Sequence, residues 1–422
     1  MRILLTIIIF ATIMVSNCVA QVEYIYSDIR CEKEKEITSK LYSIDRSQTQ
    51  LWIDMLYEAE NAVEQEPDLQ KQTGSLVRIY QMFDIINNQE GKNRCLQKMH
   101  DLAETSGDNE IFVRAKILQA HSMIRSKEIK AAITCYQDAI KYLEPQKAYA
   151  QIAKLHCFLG YAYESFNNEA LCIHNILEAV TIAENECSDN PLLMGEVYLH
   201  TAIIYLNQAD YVKADGYITG ALTIFNLNKE SENKMYRNFY NTTLIVAAEI
   251  KRATEKRDTA IMLYDMGIKG FKETTFDNSA RNSLKYLSDG HNGLGITYQQ
   301  IGNDTAAINH MMEALQIRKN LGQMDKIADS YITIAEYYTH KKMLDSALYY
   351  NIEGFNLAQD IKDNRLMSRS ADNLAKYYAK KDDYKRAYKY SNIAHDARTA
   401  ISDTKIIKEV TREEMDYMFD QE

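Results

Sequence analysis

The chain has 422 residues, 46% of them apolar, which is enough for two or three compact domains with buried cores. Three prolines and 15 glycines are too few for a sheet-rich or α/β enzyme of this size, where tight turns and glycine loops recur, so the composition predicts a nearly all-helical protein. A formal net charge of -10, with no basic run carrying interleaved aromatics, argues against nucleic acid as a partner.

Arg2, the apolar run over residues 3 to 15 and the small-ended Cys18-Val19-Ala20 read as an export signal over residues 1–20, removed before Gln21. The run is shorter than the roughly 20 residues a helix needs to span a bilayer. Val15-Ser16-Asn17-Cys18 loosely resembles a lipobox, so a lipoprotein anchored through Cys18 is the alternative. The expected location is therefore the exported compartment, most simply the periplasm, with membrane contact only through that possible lipid anchor. Cys31, Cys95, Cys135, Cys157, Cys172 and Cys187 have irregular spacings, and a chain of this size needs no staples, so buried reduced thiols are expected.

Residues 21–112 are expected to form an N-terminal helical capping region of degenerate repeats, because Tyr80 and Phe83 stand where a repeat register would put something small. From 113 to 401 the chain repeats with a period near forty. Seven units start near Val113, Ala153, Gly195, Asn241, Ser288, Ala328 and Ser368. Their eighth residues are Ala120, Gly160, Ala202, Ala248, Gly295, Ala335 and Ala375; their twentieth are Ala132, Cys172, Ala214, Ala260, Ala307, Ala347 and Ala387; their twenty-seventh are Ala139, Ala179, Ala221, Gly267, Ala314, Gly354 and Ala394.

Small residues at fixed points of two apolar-periodic segments allow two helices to approach within roughly 8 to 10 Å. Position 8 is expected to meet position 20, while position 27 receives the next unit's first helix. Leu294, Tyr298 and Met311 fill space around that crossing. Asp210, Asp258, Asp304, Asp345 and Asp382 stand where second helices begin, suited to capping free N–H groups. Polar inserts at 227–234 and 272–283 accompany unit spacings of 46 and 47 residues.

The stretches "GLGITYQQIGNDTAAINHMMEAL", "TIAEYYTHKKMLDSALYY" and "NLAKYYAKKDDYKRAYKYSNIA" resemble the tetratricopeptide repeat (TPR) family. The resemblance implies an all-α fold, a right-handed α-solenoid (superhelix) of antiparallel helix pairs. It departs from the family's pattern at position 4, where His291, Tyr331 and Ala371 replace tryptophan, and in a unit longer than the usual one. The tail over 402–422 is expected to be a C-terminal capping helix starting at Ser402. The arrangement is also similar to the periplasmic repeat arm of membrane-associated transcriptional regulators of Bacteroidetes-type bacteria.

A search for chemistry finds no HExxH, CxxC, Walker-type loop or GxSxG, so no enzyme, cofactor or metal is expected. His156 and Cys157 are adjacent, and neighbours on a helix point about 100° apart, so they do not form a base and nucleophile pair. The nine histidines show no pair three or four apart on one helix. The resemblance places binding on the concave face, at positions 2, 5, 9, 12 and 13 of first helices. That selects an apolar middle at Leu199, Ile203 and Leu206 and a polar end at Asn292, Gln299, Glu336, His340, Asp372 and Lys376, with Ile296, Gln299 and Gln300 facing the groove in the first quoted stretch. The expected function is non-enzymatic binding of a protein or peptide, and the alternative is the sensory arm of a signalling regulator.

Overall fold

The computed structural model describes residues 30–41, 44, 48–86, 88–126, 128–166, 168–229, 234–274 and 281–419. The expected export signal, with Cys18, lies outside them, as do residues 420–422 of the tail and the centres of both polar inserts. In chain order the helices are α1 (Glu32–Leu41), α2 (Thr49–Val63), α3 (Leu69–Ile85), α4 (Gln89–Ser106), α5 (Asn109–Arg125), α6 (Ile129–Leu143), α7 (Tyr149–Ser165), α8 (Glu169–Glu186) and α9 (Pro191–Asn207). They continue with α10 (Tyr211–Leu227), α11 (Lys234–Ala253), α12 (Arg257–Thr274), α13 (Arg281–Gln300), α14 (Asp304–Leu321), α15 (Met324–His340), α16 (Leu344–Asp360), α17 (Asn364–Lys380) and α18 (Tyr384–Phe419). No strand occurs among the described residues, and none of their helices is long and apolar enough to cross a membrane. The chain divides between Ile224 and Phe225 into two compact units.

The forty-residue period has a simple origin. Helices α15, α16 and α17 are 17 residues each, and three-residue links separate them, so two helices and two links fill one period. Five registers start four residues into their first helix. In α11 and α13, both 20 residues long, the register starts seven residues in, so the stretched spacings go partly into longer first helices.

The three-residue links whose central residue is described turn the chain in the same way. In 301–303 the central Gly302 has φ 82°, its N–H donates to Gln299 O at 3.2 Å, and the Asn303 N–H donates to Tyr298 O at 2.9 Å. That pairing closes a helix with a left-handed residue. Ala209, Glu255, Lys342, Lys362 and Asp382 take the same role with φ between 55° and 61°. A side chain in this conformation costs roughly 1 kcal/mol that glycine avoids. Gly302→Ala is therefore expected to lower the unfolding free energy by about 1 kcal/mol, and Lys342→Gly to raise it by up to about 1 kcal/mol, in urea melts.

The last link residue then opens the next helix. Asn303 Oδ1 accepts from Ala306 N at 3.2 Å, Asp210 from Lys213 N at 3.2 Å, Asp363 from Leu366 N at 3.0 Å and Asp383 from Arg386 N at 3.0 Å. The expected caps are thus shifted in four places: Asp258, Asp304 and Asp345 lie inside the first turn, and Asp382 is the left-handed residue before the cap. A carboxylate in the first turn still meets the positive end of the helix dipole.

The small-residue register is the core of the packing. Of the 21 positions all are buried except Ala375 and Ala387, both half-buried in the last unit. A Cβ on Gly295 would stand 3.0 Å from Ala307 O and 2.9 Å from Met311 Cγ, so position 8 does meet position 20 across the helix pair. Position 27 differs from expectation. A Cβ on Gly354 would meet Ile332 Cγ1 at 2.7 Å and Ala328 O at 3.3 Å, and one on Gly267 would meet Ile245 Cδ1 at 2.7 Å and Asn241 O at 3.2 Å. Both contacts are with positions 1 and 5 of the same unit. The following first helix settles through Gly290 instead, whose Cβ would stand 2.6 Å from Ile245 and 3.2 Å from Ile268.

In the N-terminal region the roles are exchanged. Phe83 on α3 is fully buried, and the residue that makes room is Gly91 on α4, where a Cβ would stand 2.4 Å from the Phe83 ring. The core there runs from Ile37 and Trp52 through Tyr80 to Ile111, Ala115 and Leu118 of α5. At the other end Ser402 begins no new helix: α18 runs unbroken for 36 residues, because nothing between Ile401 and Asp403 supplies a turn. The six cysteines from Cys31 to Cys187 are buried free thiols.

Candidate functional site

The first helices carry the polar chemistry. In the N-terminal unit, Glu110 of α5 receives Arg114 at 3.6 Å, Lys154 of α7 at 3.7 Å and the Gln151 amide at 3.2 Å. One step along, the Tyr161 hydroxyl of α7 lies 2.8 Å from His200 Nδ1 of α9, and His200 Nε2 is 3.9 Å from Glu196. Burial pushes His200 down to about 3 and Glu196 up from its ordinary value. Asn207 Nδ2 donates to Glu164 Oε1 at 2.9 Å, and burial, only partly offset by that bond, pushes Glu164 up to about 8.

The titration of Glu164 has a definite sign. The unfolded carboxyl ionises from its ordinary value of 4.5 upward, while the folded one keeps its proton to about 8. Folding stability therefore falls as pH rises through that window and levels off above it. Glu164→Gln removes the penalty and keeps the hydrogen bond to Asn207. The variant is expected to match the wild type near pH 4 and to exceed it by on the order of 3 kcal/mol at pH 8, read from denaturant midpoints.

In the C-terminal unit a chain of ion pairs links successive first helices, with Arg318 of the second helix α14 between the first two. Asp289 of α13 accepts from Arg318 of α14 at 2.9 Å, and Lys326 of α15 approaches it at 3.6 Å. Arg318 also donates to Ser330 at 2.7 Å and lies 3.9 Å from Asp329. Arg369 of α17 reaches back to Asp329 at 2.8 Å and to both oxygens of Glu336 at 2.6 and 2.8 Å. Burial alone would raise Asp289 and Asp329, but Lys326 and Arg318 around the first, and Arg369 and Arg318 around the second, hold both below the usual carboxylate range. Farther toward the N-terminal side of this unit, Arg252 pairs with Glu249 at 2.6 Å, and the buried Tyr264 hydroxyl donates to the same carboxylate.

Neither a protein-family model nor any curated protein matches the chain by sequence. Solved structures do. The chain is similar to a Rap protein complexed with competence and sporulation factor, at 13% identity and TM-score 0.53 over 88% of this chain and 98% of that one. It is similar to aspartyl phosphate phosphatase F from Bacillus subtilis, at 14% identity and TM-score 0.52 over 88% and 94%. It is also similar to a signal transduction ATPase with a tetratricopeptide repeat sensor from Pyrococcus horikoshii, at 13% identity and TM-score 0.54 over 85% and 55%. The fold is that of a tetratricopeptide repeat protein.

Placed on the TPR register, the sequence-selected residues separate into groups. Leu199, Ile203 and Leu206 are 0%, 2% and 7% exposed and belong to the core, because α9 is apolar on nearly every side and is covered on nearly every side. Ile296 is half-buried and packs with Met311 and Ile334. Glu336 is occupied by Arg369 and by Asn373 Nδ2 at 3.2 Å, and Asp372 by Arg398 at 2.6 Å. Asn292 and Gln299 are half-buried, and Gln300, His340 and Lys376 are exposed.

Helix pairing also assembles TPR groups that spacing did not reveal. His291 and His310 stand on paired helices with their Nδ1 atoms 2.9 Å apart, although 19 residues separate them. His156 is half-buried and bonded to Asn175 at 2.9 Å, so it is no free surface group. Burial pushes the Cys157 thiol well up, which leaves it protonated beside that histidine. Among the described residues no group of three or more His, Cys, Asp or Glu side chains is placed to hold a metal ion.

Proposed function

We propose that this protein binds another protein or a peptide, without catalysing a reaction, on the first-helix faces of its repeats, and that it does so after export. The observation that carries the reading is the concentration of polar groups on first helices. Glu110, Lys154 and Glu196 in one unit, and Asp289, Asp329 and Arg369 in the other, recur along those helices, and Arg318 of the second helix α14 joins Asp289 to Asp329. Glu110, Lys154, Asp289 and Arg369 are half-buried and held by ion pairs between neighbouring helices, which lowers the ordering cost of binding, while Glu196 and Asp329 lie buried beneath. The Rap protein complexed with competence and sporulation factor gives a fold-level parallel for binding a partner. Export rests on residues 1–20, with the Cys18 lipoprotein as its variant.

The sensory-arm alternative draws on α18, whose 36 residues make it about twice the length of the other helices. Its expected mark is signalling that depends on residues beyond Ser402.

The test immobilises the chain and passes over it a pool of short peptides randomised at every position. Gln300→Glu with Lys376→Glu changes exposed first-helix residues and is expected to alter the retained pool. Tyr349→Arg with Tyr388→Arg changes residues that are 58% and 70% exposed on second helices and is expected to leave it unchanged. The opposite pattern contradicts the proposed face.

A further inference from the structure

Three links of the C-terminal unit, 301–303, 341–343 and 381–383, each join a first helix to the second helix of its own repeat, so in a stack of antiparallel helices they share one edge. Lys341 reaches Asp304 beside the neighbouring link, and the Tyr337 hydroxyl donates to Asp304 O at 3.2 Å. At each link a large apolar side chain stands in solvent: Ile301 is 47% exposed, Met343 52%, and Tyr384, just past the third link, 68%. Met343 holds the N-cap position of α16 and makes no cap hydrogen bond, where Asn303 and Asp383 cap α14 and α18. Helix stability gains nothing from an apolar residue there, and neither does packing. Lysines surround these tips. Lys342, Lys380, Lys381 and Lys385 are exposed, and among the described residues none has a carboxylate within ion-pair distance. Asp304 is taken by Lys341, Asp383 by Arg386, and Asp382 by the Tyr384 hydroxyl at 2.9 Å, which leaves Asp345 against four lysines.

We infer that this edge of the C-terminal unit rests on the surface of a membrane that contains anionic lipid. Lys342, Lys380, Lys381 and Lys385 lie against the headgroups, and Ile301, Met343 and Tyr384 enter the boundary between headgroups and acyl chains. Lysines near an anionic leaflet each add to the attraction, and a tyrosine, apolar in its ring and polar at its tip, suits that boundary. A chain of net charge -10 is repelled by the same leaflet elsewhere, so a positive edge also sets its orientation. Charge alone would suit an acidic polypeptide equally. The apolar tips favour the lipid surface, because they project one per link from turns, where a flat surface meets all three and no groove forms around a chain. The edge is separate from the first-helix faces, so this contact and peptide binding stand or fall independently.

Flotation of the full chain with lipid vesicles tests this, with variants compared at one ionic strength so that residues 1–20 contribute equally to all. The wild type is expected to bind vesicles of phosphatidylglycerol and phosphatidylcholine more tightly than vesicles of phosphatidylcholine alone, and to lose that excess as salt is added. Lys342→Glu with Lys380→Glu and Lys381→Glu is expected to weaken binding to the anionic vesicles about a hundredfold. Met343→Asn with Tyr384→Ser is expected to weaken it about tenfold. Met343→Asn by itself supplies the missing cap and is expected to raise the urea midpoint while it weakens binding, a pairing that loss of structure cannot produce. Equal binding to both kinds of vesicle, binding unmoved by the triple charge reversal, or no binding at all overturns the inference. Retention on immobilised polyglutamate without binding to anionic vesicles also overturns it and gives the edge to an acidic polypeptide.

Discussion

Arg318→Ala is expected to lower the unfolding free energy by about 3–5 kcal/mol, because it removes one partner from a buried ionic cluster and leaves the others uncompensated. Arg318 is 2% exposed and donates to Asp289, Ser330 and the Lys326 carbonyl. Its loss leaves Asp289 with Lys326 at 3.6 Å and leaves the Ser330 hydroxyl without its donor. Asp289 sits below its ordinary value of 3.8, so its contribution is present above that value and disappears as pH falls through the lowered one. The difference between wild type and variant should therefore narrow in acid. Replacing Arg318 by Met, Asp289 by Leu and Lys326 by Met together should cost much less than Arg318→Ala, since no charge of that group is then left without its partner. Urea melts of the three proteins at neutral and acid pH decide the matter, and equal stability of wild type and Arg318→Ala would remove the cluster from the account.

The second large effect comes from the close approach of helices. At Gly295 an added Cβ would stand 3.0 Å from Ala307 O and 3.1 Å from Met311 N, and those backbone atoms move only if α14 moves. Gly295→Leu is expected to cost about 3 kcal/mol through overpacking. Gly216, inside α10, has nothing within 4 Å of its Cβ position, and Gly216→Ala is expected to stabilise by about 1 kcal/mol from helix propensity alone. The two glycines thus carry opposite signs. Calorimetric scans of both variants read that contrast directly, and destabilisation by Gly216→Ala would mean that the space beside that Cα is filled.

Much of this fold can be read in the sequence because its strongest constraint is local and periodic. Gly295, Ala307 and Ala314 announce a helix crossing by their size, and the same three positions recur six more times. The caps are nearly as legible but shift by a residue or two, since Asn303 and Asp383 each end one turn and begin the next helix. The first-helix face is harder. Leu199 and Ile203 occupy positions that the resemblance assigns to the groove, yet α9 is covered there, and periodicity cannot tell a covered apolar face from an open one. Ion pairs are harder still: Arg369 meets Glu336 at a separation of 33 residues and Arg318 meets Asp289 at 29, and neither is the repeat length. Asp329 and Arg369, of opposite sign and 40 residues apart, are the one pair of that network that follows the repeat length.

The central claim is that a polypeptide ligand lies on first-helix faces. Photo-crosslinking measures this most directly, with a benzophenone side chain placed singly at Gln300, Lys376, Tyr349 or Tyr388 and the retained peptides as targets. The account predicts adducts from Gln300 and Lys376 and none from Tyr349 and Tyr388, which stand exposed on second helices. Adducts from Tyr349 or Tyr388 alone would contradict it.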